Sequence, residues 1–184
     1  TRAKAIASGA GWRPEVWAQL AELGILGMPF SEADGGFGGG AVDAMVIMTE
    51  FGKGLVIEPF LPTVVCAGGF LKHGGTAAQK EEHIGGIVAG SAVFAFAYAE
   101  PKGRYDYADL ETTAKKDGSG YVLNGHKAVV IGAPWASHLI VTARTGGERR
   151  DRSGVSVFVI AKDTPGVTTR DYVTVDGRRA SEVY

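Results

Sequence analysis

At Val93 the hydrophobic period of this chain switches from roughly 3.6 residues to two, and one type of element cannot accommodate both. Residues 93–106 read VFAFAYAEPKGRYD. In a strand, Phe94, Phe96 and Tyr98 share one face and Ala95, Ala97 and Ala99 the other. The strand has to stop at Glu100-Pro101, because proline has no N–H for a ladder and holds the residue before it extended. A bare alanine face would let a flat, bulky partner approach the backbone. The same pattern suits an ordinary sandwich strand under a helix, and both readings stand at this point.

Upstream of the switch the chain reads as helices. Pro14-Glu15 is a good first turn, and Val16, Leu20, Leu23 and Gly27 follow on one face. Residues 31–40 (SEADGGFGGG) form a glycine-dense loop. It fails the dinucleotide fingerprint, since Ala41 stands where the third glycine belongs and a helix precedes it. It fails as a Walker A loop too, so a connector whose backbone can lie along a ligand is the better reading. Residues 41–51 are almost wholly apolar and predict a buried helix, as do residues 61–71. Thr76 with Gln79 predicts a capping box opening a further helix.

Downstream the chain reads as strands at short spacing: residues 110–116, 121–123, 128–131, 139–143, 155–160 and 167–172. Asn124-Gly125 predicts a hairpin turn. Arg149, Arg150 and Arg152 predict a solvated loop tip. Helices first and strands afterwards argue for α+β with segregated domains: an all-α N-terminal domain over residues 1–90, then a β-sandwich or barrel over residues 91–184.

Composition narrows the function. The net charge is −1, which gives no nucleic-acid footprint. His73, His83, His126 and His138 show no zinc spacing, and the single Cys66 forms no cysteine cluster or internal disulfide, which fits a reducing compartment. No apolar run nears the ~20 residues of a membrane span. The chain starts at Thr1 rather than Met and stops inside strand-like residues 181–184, so it reads as a piece of a longer protein.

The residues resemble the acyl-CoA dehydrogenases along the whole length. Met28-Pro29 with Asp34-Gly35-Gly36 and Gly38 is similar to that family's loop after its second helix. Glu100-Pro101 followed by Asp106 is similar to its flavin-strand motif, and residues 121–127 (YVLNGHK) to its Tyr-x-x-Asn-Gly-x-Lys segment. Residues 154–160, Thr164-Pro165-Gly166-Val167 and Arg179-Ala180-Ser181 resemble its later strands. Residues 100–106 look most like the small subunit of pimeloyl-CoA dehydrogenase.

This resemblance implies an N-terminal helical domain and a middle β-domain, with the family's C-terminal four-helix bundle absent here. It implies FAD-dependent oxidation of an acyl-CoA thioester to a trans-2-enoyl-CoA, electron-transfer flavoprotein as acceptor, a homo- or hetero-tetramer, and a cytoplasmic location. In the family the catalytic base is a glutamate in the bundle, so none is assigned in this chain; Glu50, Glu58 and Glu100 do not match its position. Cofactor contacts are implied at Tyr98, Ala99, Tyr105, Val129, Val130 and Ile131. Four of these depart from the family pattern, which has hydroxyls at 99, 105 and 131 and an aromatic at 129. At roughly 0.5–1.5 kcal/mol for each hydrogen bond or stacking contact, the loss is a few kcal/mol unless backbone N–H groups carry the binding. Two alternatives follow: a non-catalytic partner subunit of a heteromeric dehydrogenase, and a flavin-dependent relative with other chemistry.

Overall fold

The structure is a computed structural model that describes residues 2–184. Five helices come first: α1 (Arg2–Ala7), α2 (Pro14–Glu22), α3 (Ala41–Lys53), α4 (Gly68–Gly74) and α5 (Ala77–Val88). A π-helical stretch, Leu61–Ala67, runs directly into α4. Eight strands follow: β1 (Phe94–Ala97), β2 (Thr113–Asp117), β3 (Gly120–Asn124), β4 (Lys127–Ile131), β5 (His138–Arg144), β6 (Val155–Ala161), β7 (Thr169–Val173) and β8 (Arg179–Val183). The α+β expectation holds.

The strands make two sheets. In the first, β5 is central: β6 lies antiparallel along one side, while β1 and β2 run parallel to it, one after the other, on the opposite side. β3 closes that sheet beyond β2. The second sheet is antiparallel, in the order β4-β8-β7. Helices cover one face of the first sheet through Trp17, Leu26, Phe30, Phe60, Leu71, Ile84 and Phe94. The other face packs on the second sheet through Ala95, Ala97, Leu139 and Val141 against Val130 and Val183.

Local rules explain several elements. Thr76 and Gln79 form the expected reciprocal cap of α5, with Thr76 N–H donating to Gln79 at 2.9 Å and Gln79 N–H to Thr76 at 3.3 Å. Gly36 is a packing requirement, since a Cβ there would fall 2.3 Å from the Phe30 carbonyl oxygen and 2.4 Å from that of Gly27. The 31–40 segment is thus a tight connector against the first helical core.

Five expectations are corrected. Helix α3 is not buried: Val42, Met45 and Val46 are exposed, because apolar content alone does not say whether a neighbour lies on each side. In α2 the buried residue is Trp17 and Leu23 faces solvent. Asn124-Gly125 is not a hairpin turn: β3 and β4 belong to different sheets, and the chain crosses between them there. The alanine face of β1 is not bare, because the second sheet lies on Ala95 and Ala97 and leaves both fully buried. The arginine tip is partly tethered as well, with Arg149 and Arg150 paired to Asp109.

Candidate functional site

Beyond Ala97 the chain leaves the ladder and continues without regular structure through Tyr98 and Ala99. The Ala128 N–H donates to the Ala99 carbonyl at 2.8 Å, which binds the end of β1 to the start of β4 across the two sheets. Five of the six expected cofactor positions therefore meet at one seam: Tyr98 and Ala99 on one side, Val129, Val130 and Ile131 on the other. Tyr105 lies apart, 98% exposed on the loop after Pro101, in an open groove with Lys102, Arg104, Arg150 and Arg152.

The seam is not a regular pair of strands. Lys127 lies opposite Val183 and Val130 opposite Ser181, so Ala128 and Val129 together face the single residue Glu182. That is a β-bulge, a device that re-aims side chains. Val129 has φ +52°, a left-handed conformation uncommon for any residue with a Cβ and costly for a β-branched one. Its side chain is 52% exposed, while Val130 beside it is buried in the core between the sheets. Tyr98 is 37% exposed, stacks on Phe96 and meets the tilted ring of Tyr107.

Next to the seam is an apolar cavity of about 220 Å³. Phe51, Leu55, Phe60, Leu61, Ile131 and Trp135 are among the residues that line it. Ile131 thus belongs to both the seam and the cavity. The arrangement offers a backbone edge with few side-chain donors beside an apolar slot, which suits a planar conjugated group held by main-chain contacts next to an apolar chain. The three carboxylates considered in the sequence are each ion-paired. Glu58 reaches the cavity but accepts from Arg13 at 2.9 and 3.2 Å and from the Ile57 N–H. Glu50 pairs with Lys53 on the surface. Glu100 is buried against Lys127. Among the described residues no group of three or more His, Cys, Asp or Glu could hold a metal ion, and no helix is long and apolar enough to cross a membrane.

Behind the seam stand residues that sequence patterns did not single out. His126 Nε2 lies 2.5 Å from Glu182, and Tyr172 donates to the same carboxylate at 3.1 Å. Burial pushes the Glu182 carboxyl up, but hydrogen bonds from His126 and Tyr172 outweigh it and hold the group below its usual range. These residues come from β4's approach, β8 and β7, and only strand pairing brings them together. Sequence spacing gave no signal for it.

Residues 2–91 match the acyl-CoA dehydrogenase N-terminal domain and residues 95–184 the acyl-CoA dehydrogenase middle domain. The probable acyl-CoA dehydrogenase YngJ of Bacillus subtilis is 31% identical over 174 residues, covering 92% of this chain and 46% of that protein. The FAD complex of PigA superposes with a TM-score of 0.88 at 27% identity, over 99% of this chain and 49% of that one. The ChsE4–ChsE5 complex from Mycobacterium tuberculosis superposes with a TM-score of 0.88 at 29% identity, over 100% and 48%. The chain spans about half the length of the proteins it matches. Two domain matches in this order, over nearly every residue, place the chain in the acyl-CoA dehydrogenase family, whose N-terminal and middle domains it carries.

Proposed function

We infer that this chain forms the cofactor-facing half of an FAD-dependent acyl-CoA dehydrogenase that converts a thioester to the trans-2-enoyl-CoA. The observation that carries this is the seam: Tyr98 and Ala99 are tied to the bulged strand at Val129–Ile131, and Ile131 opens on the apolar cavity. FAD supplies the hydride acceptor for the β-carbon. The residues fit such a group through backbone rather than side chains, since Ala99, Val129 and Ile131 carry no polar atom. The cavity walls Phe51, Leu61 and Trp135 exclude water from an acyl chain, which strengthens any hydrogen bond to the thioester carbonyl. As the family resemblance implies, the α-proton goes to a base outside this chain; within it, Glu50, Glu58 and Glu100 are each ion-paired. In this reading electrons leave through an electron-transfer flavoprotein, and the whole protein is a cytoplasmic homo- or hetero-tetramer.

A second reading has its own support. Tyr105, at the implied pyrophosphate position, projects into solvent, and the three seam side chains offer no hydroxyl. A non-catalytic partner subunit, as the resemblance of residues 100–106 to the pimeloyl-CoA dehydrogenase small subunit suggests, would tolerate all four changes. Visible-absorbance titration of the full-length protein with FAD, alone and with its companion subunit, separates the two. The first reading expects stoichiometric yellow protein that bleaches anaerobically with acyl-CoA. A full-length chain that stays colourless alone and turns yellow only with its companion supports the second.

A further inference from the structure

We propose that Glu182 is a positioning residue: its carboxylate, clamped by His126 and Tyr172, holds Val129 in the left-handed bulge and so fixes the seam edge of β4. The flavin side of this inference rests on the function proposed above; the clamp itself does not.

The strain needs a cause. A valine at φ +52° persists only where its surroundings over-determine it. Glu182 is the one residue of β8 that faces both Ala128 and Val129. The Val129 N–H lies in the bulge directly across from Glu182. The regular ladder would instead take that N–H, straighten β4 and place Val129 rather than Val130 opposite Ser181. A carboxylate free to rotate could not resist this. Glu182 is not free: His126, on the residue pair before β4, holds one oxygen, and Tyr172, on β7, holds the other. His126 is itself stacked on Tyr184 with ring centres 4.3 Å apart. Three strands thus converge on one carboxylate directly opposite the bulge. The outcome is a half-turn change in side-chain phase across the bulge: Lys127 and Val130, three residues apart, are both buried, with Val129 outward and Ile131 at the cavity.

The test uses the full-length protein, amide hydrogen exchange over residues 127–131, and FAD titration. Glu182→Ala should speed exchange across the bulge and weaken FAD binding, each by about tenfold. Val129→Gly removes the cost of the left-handed backbone. In that background, Glu182→Ala should change FAD affinity by no more than about twofold. A Glu182 that only stabilises the fold would give the same loss in both backgrounds, and that result overturns the proposal, as does unchanged exchange in Glu182→Ala. Where Glu182→Ala fails to fold, His126→Asn and Tyr172→Phe replace it: faster exchange in either supports the clamp, and none in both overturns it. A wild-type protein that binds no FAD, with exchange still rising in Glu182→Ala, supports the clamp and removes the flavin reading.

Discussion

Lys127 Nζ lies 2.7 Å from Glu100 Oε1, and both side chains are almost fully buried. The pair joins the two sheets, since Glu100 follows β1 and Lys127 opens β4. Lys127 also donates to the Tyr98 carbonyl and to Thr142. Glu100 in turn accepts from the backbone N–H groups of Glu111 and Thr112, at 2.5 and 3.0 Å. Because β1 and β2 follow one another along β5, residues 98–112 are an excursion from a single strand path, and Glu100 staples its two ends. Breaking such a pair from one side strands a buried charge, which costs about 3–5 kcal/mol. Lys127→Met should therefore lower the unfolding free energy by that order, read from urea denaturation, and should loosen the seam at Tyr98 and Ala99. A loss under about 1 kcal/mol, the range of exposed pairs, would mean that the Glu111 and Thr112 amides alone satisfy the carboxylate.

Acid should loosen the joint between helices and sheet. His138 stacks on Phe94, with His83 of α5 5.4 Å away. Burial pushes the His138 imidazole below its ordinary value, and the neighbouring His83 adds to this against weaker opposition from Glu82 and Asp163. The unfolded chain therefore binds a proton more readily than the fold does. Stability from this group is complete above the unfolded value of about 6.5 and falls as pH drops through the lower folded value. His138→Gln should flatten the dependence of urea midpoint on pH between about 5 and 7 relative to wild type. An equal slope in both proteins would place the acid sensitivity elsewhere.

The layer order was legible because it follows from period and local chemistry. The switch at Val93 separates helices from strands, and Thr76 with Gln79 marks a helix start that the structure keeps. What was not legible depends on partners. Residues 41–51 and Ala95 with Ala97 show the two sides of this: the apolar helix is exposed, while the small-residue face is covered by a second sheet. Alternation says which residues share a face but not what lies against it. The seam positions 98, 99 and 129–131 came from motif resemblance, whereas Glu182, His126 and Tyr172 depend on a register shift between β4 and β8 that no pattern within either strand records.

Gly125 illustrates the same limit and yields a direct test. Sequence reads it as a turn glycine selected for positive φ, but it has no such φ. Its role is proximity: a Cβ would sit 2.3 Å from Thr112 Oγ1 and 2.7 Å from the Thr112 α-carbon. Backbone cannot rotate away as a side-chain tip can. Gly125→Ala should thus cost about 1–3 kcal/mol by overpacking. Thr112→Ala on top of it should recover only part of the loss, because the clash with the residue 112 backbone remains. Thermal unfolding of the two variants decides this, and full recovery would assign the clash to the threonine hydroxyl alone.

The seam itself can be re-equipped. If backbone atoms carry the flavin, placing hydroxyls at the two seam positions where the family resemblance implies them should add side-chain bonds to an existing site. Ala99→Ser adds one oxygen to a half-buried residue, and Ile131→Thr exchanges the ethyl branch for a hydroxyl while staying β-branched. At about 0.5–1.5 kcal/mol per neutral hydrogen bond, the double variant of the full-length protein should bind FAD roughly 5- to 150-fold more tightly. The gain should appear mainly as slower dissociation, since neither substitution changes the charge that steers the encounter. Affinity that stays within about twofold of wild type would show that these side chains do not face the cofactor, and the seam would then have to serve an occupant bound by main chain and shape alone.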